Sequence, residues 1–317
     1  MLRKLTLITC AVALLAAAQN KAIPRTKDGH PDLQGIWTNV TVTPLERPAS
    51  MKSLALTDAE AKAFEQQQAK ELNDSDGASD SPIIRAAGSS GTGGYNVLFL
   101  DRGNELARVD GQKRSSLISD PPDGRFPPVT ADARKRLQAD MMRNVKFDDI
   151  KDRPVSERCL LGFGSTAGPP MLPVLYNNNY QIVQTPDTIM ILVEMVHDIR
   201  IIHMTSKHGP VSRSWLGDSI GHWEGDTLLV ETTDFNPLST FRGATPDMKV
   251  TERFRMTGPT EFVYKATVED PATFTKPFTV EFPFNATKGP VYEYACHEGN
   301  YAASDIMGGA RKADQGK

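Results

Sequence analysis

The sequence predicts a mainly β protein: an antiparallel meander closing into a barrel, preceded by an N-terminal part with two short helices and long loops. Three observations carry that prediction. From about residue 180 onward, apolar-rich segments recur at 180–184, 188–204 (one long strand or two), 219–223, 227–233, 249–256, 261–269, 277–284 and 291–296. Turn residues join them with no intervening helices, which argues for antiparallel pairing of successive strands. Sheets built of many short strands commonly manage their edges by closure.

Taken in order, residues 1–19 read as a signal peptide. MLRK is a basic n-region, LTLITCAVALLAAA an apolar run ending in small residues, and QNK a polar exit, with cleavage near Ala18. The apolar run is short for a bilayer span. Cys10 raises a lipoprotein alternative, set aside because Thr9 stands where a small residue is usual. Residues 20–150 form a wrapping or capping region. RTKDGHPDLQGIWTN leads into a short strand around Gly35-Ile36-Trp37. TDAEAKAFEQQQAKEL is a helix with a capping box, Thr57 and Glu60. NDSDGASDSPIIRAAGSSGTGG is a polar loop, followed by short strands near 95–100, 105–109 and 114–119. The prolines of SDPPDGRFPP exclude helix and central strand, and TADARKRLQADMMRN is a second helix capped by Thr130. Residues 151–317 supply the barrel core.

Composition narrows the function classes. Lys and Arg total 36 against 39 Asp and Glu, a formal net charge of -3, without the clustered basic footprint of a nucleic-acid binder. No segment after the leader is long and apolar enough to cross a bilayer, so no stable membrane insertion is expected once the leader is cleaved. The protein is expected in the periplasm or secreted. Two cysteines remain, Cys159 and Cys296, and in an oxidising compartment pairing is the simpler fate. The alternative is a nucleophilic thiol at Cys296 beside His297 and Glu298. HExxH, paired CxxC, a Walker loop, a dinucleotide fingerprint and GxSxG are all missing from the sequence, so no metal and no cofactor is expected.

Four segments could carry chemistry. In GDSIGHWEGDTLLVETT, a turn at Glu224-Gly225 pairs His222 with Thr227 and sets Asp218 opposite Glu231. Asp218, His222 and Glu231 then share one face, and two opposed carboxylates must share a proton, meet a cation or stay solvated. The plain alternative is a solvated outer face, with Leu228, Val230 and Trp223 on the core side. In TIMILVEMVHDIRIIHM, read as one strand, Glu194, Asp198 and Arg200 fall on one face and His197 and His203 on the other. A structural ion pair of Arg200 with Asp198 or Glu194 competes there with an acid–base role for Glu194 or His197. YACHEGNY offers His297 beside the cysteine. YNNNYQ offers Asn179 and Tyr180 as ligand contacts, against a turn reading in which Asn adopts left-handed conformations.

RTKDGHPDLQGIW, SLISDPPDGRFPP, YNNNYQIVQTP, GDSIGHWEGDTLLVETT and YACHEGNY together resemble a large family of exported proteins of soil bacteria. That resemblance implies export and transfers no catalytic residue. Separately, Gly35-Ile36-Trp37 resembles the Gly-x-Trp near the first strand of lipocalin-type barrels, which implies a lipocalin-like barrel with a ligand-sized cavity.

The sequence is therefore expected to encode an exported enzyme doing metal-independent acid–base chemistry (lyase, isomerase, hydratase or hydrolase) on a small organic or sugar-like substrate. The expected catalytic residues are His222, Glu231, Asp218, His197 and His297. Arg200, Glu194, Tyr180, Asn179 and Trp223 are expected to bind substrate. A non-catalytic periplasmic small-ligand-binding barrel is the alternative, and a His/carboxylate metalloenzyme the weaker one.

Overall fold

The computed structural model describes residues 22–74, 100–144, 149–210, 212–239 and 241–316. The expected leader and the expected strand at 95–100 fall almost wholly outside these residues. Nine of the described strands close a barrel: β1 (Gly35–Thr38), β5 (Asn179–Gln184), β6 (Thr188–Val193), β7 (Ile199–His203), β8 (Asp218–Glu224), β9 (Thr227–Thr233), β10 (Lys249–Gly258), β11 (Glu261–Glu269) and β12 (Phe278–Thr287). β1 sits between β5 and β12, so the N-terminal part contributes a stave and completes the closure. Higher on the same edge of β12, β4 (Ile118–Asp120) pairs with Thr279 and Val280. A small ribbon of β2 (Arg108–Val109) and β3 (Gln112–Lys113) lies apart from the barrel sheet.

Alternation decides the inside. In β10, Val250, Glu252, Phe254 and Met256 are buried, and the residues between them are exposed or half-buried. With Phe262, Tyr264, Phe282 and Phe284 they fill the interior, Phe262 stacking on Phe284 at 4.8 Å between ring centroids. The ligand-sized cavity implied for the barrel interior is thus replaced by a packed aromatic core. Leu33, Trp37 and Trp223 help close one end, with Trp37 Nε1 donating to the Leu33 carbonyl at 2.8 Å and Trp223 stacked on His30 at 4.8 Å.

One feature departs from a simple antiparallel meander, the joint between β7 and β8. The apolar run 188–204 is a hairpin, and β6 and β7 are paired antiparallel across a tight turn at 194–198. β7 and β8 are then parallel and pair only at Ile202↔Ser219 and His203↔Ile220, because the connection 204–217 carries the chain back to the end where β7 began. The expected strand 291–296 is irregular, and residues 302–315 form a helix, α3 (Ala302–Gln315), that the sequence reading missed. Both expected helices are present, α1 (Asp58–Asp74) and α2 (Ala131–Asn144), with the Thr57–Glu60 box and the Thr130 cap in place.

An ion pair lies inside the wall. Arg200 donates from Nη1 to Glu252 Oε1 at 2.8 Å and from Nη2 to Glu252 Oε2, with further bonds from Nε to Ser219 Oγ at 3.2 Å and from Nη2 to Thr232 Oγ1 at 2.9 Å. Both partners are fully buried. Glu252 also accepts from Tyr264 Oη at 2.7 Å, and that same hydroxyl accepts the Met171 N–H at 2.9 Å. Burial pushes the Tyr264 phenol well above its ordinary range, so it stays protonated as a donor to the carboxylate.

Breaking one member of such a pair leaves an uncompensated charge, whereas replacing both with apolar groups is close to neutral. Glu252→Gln should therefore lower stability in urea by about 3–5 kcal/mol, and Arg200→Met with Glu252→Met by much less. Equal losses in the two variants would contradict this reading of the pair. Cys159 and Cys296 are disulfide-bonded across 137 residues, so reducing the bridge should lower stability by about 4–5 kcal/mol in the chain-entropy picture. An unchanged urea midpoint in reductant would count against that.

Candidate functional site

Loops gather at the end of the barrel where β1, β6 and β9 finish and β5, β7, β8 and β10 begin. Over this mouth lies a cleft of 820 Å³. One wall is the loop 161–175, pinned from below by two tyrosines of the barrel. Tyr264 accepts the Met171 N–H, and Tyr180 donates to the Thr166 carbonyl at 2.9 Å. Leu172, Leu216, Phe235, Phe241 and Met248 make the cleft largely apolar.

Four charged residues line it from different elements: Asp198, Arg102, Arg242 and Glu71, the last accepting from Gln67 Nε2 at 2.8 Å and Gln68 Nε2 at 2.9 Å. Asp198 ends the turn between β6 and β7, in which Val196 and His197 adopt left-handed backbone angles, φ +57° and +48°. A β-branched residue rarely takes that conformation, and such strain is held where surrounding structure over-determines it. Asp198 is 9% exposed; its Oδ2 accepts the Gly162 N–H at 2.9 Å, and Oδ1 has no hydrogen bond among the described residues. Burial raises its carboxyl to about 6, against the smaller opposing effects of the Gly162 N–H and His197. Gly162 has no spare room: an added Cβ would meet Thr166 Oγ1 at 2.4 Å and Met195 Cγ at 2.7 Å.

The two arginines differ. Arg102 is tied to helix α1, donating to Gln68 Oε1 at 2.9 Å and to the Gln68 carbonyl at 3.0 Å. Arg242 lies over the Phe126 ring at 4.0 Å and has no hydrogen bond or ion pair among the described residues. Burial lowers its guanidinium from the ordinary value, with Glu46 partly offsetting the shift. An apolar-walled cleft with one uncommitted cation and one partly satisfied acid suits an amphipathic organic anion.

The residues expected from sequence lie elsewhere. The hairpin turn is Gly225-Asp226, not Glu224-Gly225, and Gly225 at its first position supplies φ +58°, a left-handed angle that glycine takes without steric cost. Ile220, not Asp218, therefore faces Glu231, and Asp218 faces Thr233. Asp218, His222 and Glu231 do share a face, but it is the outer one, while Ser219, Gly221, Leu228, Val230 and Thr232 are buried. The inward placement of these groups is corrected accordingly. His222 is exposed, 3.5 Å from Glu224. Asp218 and Glu231 converge instead on His208, at 2.6 Å from Nδ1 and 3.6 Å from Nε2, and Lys249 pairs with Glu231.

His197 and His297 are exposed and outside the cleft lining. Arg200, expected as a substrate clamp, pairs with Glu252 rather than with Asp198 or Glu194. Glu194 is buried and accepts the Tyr292 N–H at 2.9 Å and the Asn179 N–H at 3.3 Å, so it and Asn179 brace the mouth. Tyr180 is fully buried, and Trp223 packs at the far end. Asn177 does adopt the left-handed conformation of a turn residue, φ +55°. Asp198, Arg242 and Arg102 were missed as site residues, because what selects them is their place at strand ends and in loops around the mouth.

Among the described residues no group of three or more His, Cys, Asp or Glu side chains could hold a metal ion, and no described helix is long and apolar enough to cross a membrane. Fold and site together define a closed β-barrel with a ligand-sized cleft over its mouth. Comparison with protein-family models, curated proteins and solved structures yields no match for this chain.

The raised Asp198 carboxyl has a signed consequence for stability. Its folded-state pKa lies above the unfolded one, so the folded protein binds the extra proton between about pH 4 and pH 6, and stability falls as pH rises through that window. Relative to Asp198→Asn, the wild type should lose up to about 3 kcal/mol between pH 4 and pH 7, read from urea midpoints. Parallel pH profiles for the two proteins would contradict this.

Proposed function

We propose that this protein is an exported enzyme that performs acid–base chemistry on a small amphipathic organic anion bound in the mouth cleft. Asp198 is the proton-transfer group and Arg242 the seat of the substrate's anionic end. The observation that carries this reading is the meeting, in one apolar-walled cleft, of an uncommitted guanidinium with a buried carboxyl whose Oδ1 has no partner among the described residues. A carboxyl near 6 is poised to give and take a proton close to neutral pH, the condition for general acid–base catalysis. The disulfide supports the export part of the proposal, since such bridges persist in oxidising compartments.

The test pairs binding with turnover. Octanoate titrated calorimetrically should bind the wild type saturably, and Arg242→Ala should weaken it about tenfold, the loss of one charge-assisted contact. Across a panel of esters, lactones and hydroxy acids bearing an apolar body and an acidic group, Asp198→Asn should lower kcat at least about 100-fold. A substrate turned over equally by Asp198→Asn would refute the catalytic role. Octanoate binding with no turnover anywhere in the panel would favour the carrier reading.

A further inference from the structure

Where β7 and β8 part, above their two parallel rungs, the barrel wall opens into a second cavity of 450 Å³. It adjoins the mouth cleft, and Leu161, Asp198 and Leu216 line both. Its chemistry is different. The mouth cleft is walled by leucines and phenylalanines, whereas the side groove presents Trp215 with Ser212, His203 and Asp218 around it.

The three tryptophans of the chain are not equivalent. Trp37 is buried against Phe262 and donates its indole N–H to Leu33, and Trp223 is stacked on His30. Trp215 is half-buried, and its ring has no aromatic partner and its indole N–H no hydrogen bond among the described residues. Yet its backbone is held firmly. Ser239 Oγ donates to the Trp215 carbonyl at 2.5 Å, and the neighbouring Ser214 accepts the Asn236 N–H at 2.7 Å and donates its own N–H to the Asp234 carbonyl at 3.2 Å. A large flat ring fixed by its main chain and left bare on a groove is a stacking platform.

The rim suits hydroxyl groups. The side chains of Ser212 and His203 have no hydrogen bond among the described residues, and the Asp218 side chain engages His208 through Oδ2 alone, leaving Oδ1 as an acceptor. A pyranose ring combines an apolar C–H face, which stacks on an indole, with an edge of hydroxyls that need mixed donors and acceptors. Aliphatic or aromatic ligands satisfy the platform without the rim, and simple ions satisfy neither.

We propose that the ligand is bipartite, with an apolar body in the mouth cleft and a sugar ring in the side groove stacked on Trp215, the junction between the two lying beside Asp198. This rests on the mouth-cleft reading above and names its substrate class: a glycoside whose apolar aglycone carries the acidic group seated on Arg242.

The experiment is calorimetric titration with n-octyl β-D-glucopyranoside below its micelle-forming concentration, with glucose alone, and with octanoate. The wild type should bind octyl glucoside at least about tenfold more tightly than glucose, and Trp215→Ala should weaken octyl glucoside about tenfold. Octanoate affinity should be unchanged in Trp215→Ala, which also shows that the variant is folded, and Trp215→Phe should retain most of the octyl glucoside affinity. Octyl glucoside binding equally to wild type and Trp215→Ala, or not binding while octanoate does, would overturn the bipartite ligand and leave the mouth-cleft site standing. Failure of octanoate itself to bind the wild type would take down the mouth-cleft reading, and this inference with it.

Discussion

The Arg200–Glu252 pair is the constraint on which the rest of the architecture turns. Two charges taken out of water are tolerated only when geometry and hydrogen bonding are complete, and here they are nearly so. Arg200 reaches Ser219 on β8, Thr232 on β9 and Glu252 on β10, so one guanidinium joins the inner faces of four consecutive strands. It does this beside the weakest seam of the barrel, the two-rung parallel joint of β7 and β8. Side-chain bonds inside the wall supplement the main-chain bonds that the seam has in short supply.

The same network reaches the mouth. Tyr264 stands between Glu252 and the Met171 N–H, so the ion pair is coupled to the loop that roofs the cleft. Farther along that loop, Gly162 directs its N–H at Asp198, which is itself only two residues before Arg200. A single chain of contacts therefore sets both the buried charge and the exposed edge of the proposed site. Placing the acid on the shoulder of a rigid strand, rather than on a free loop, gives it a fixed orientation and a desolvated setting together.

Much of this was legible from sequence because β9 and β10 alternate cleanly, one face packed and the other more open, and because the two helix caps are written in Thr57, Glu60 and Thr130. The hairpin at 194–198 was not legible. Its left-handed positions hold Val196 and His197 rather than glycine or asparagine, so the turn is imposed by packing that no local pattern announces. The helix 302–315 was hidden by Gly308-Gly309, which lower its intrinsic propensity. The inside and outside of the β8–β9 ribbon were ambiguous for a physical reason. Because Arg200 fills the space beside Ser219 and Thr232, and Ile202 and Met204 that beside Gly221, the inner face mixes these small residues with Leu228 and Val230, while Ile220 and Leu229 face outward, which blurs the usual cue. The candidate site, assembled from strand ends and loops far apart in the chain, had no local signature, although Asp198 and Arg200 stood two residues apart in a segment already marked as charged among apolar residues.

The most direct test of the coupling between buried network and cleft is amide hydrogen exchange in wild type and Tyr264→Phe, which removes one hydroxyl and nothing else. The account predicts that the Met171 and Gly162 amides lose protection by roughly tenfold or more, while the amides of β10 and β11 keep theirs. Unchanged protection at Met171 and Gly162 would show that the mouth loop holds its place without the buried pair, and would contradict the account.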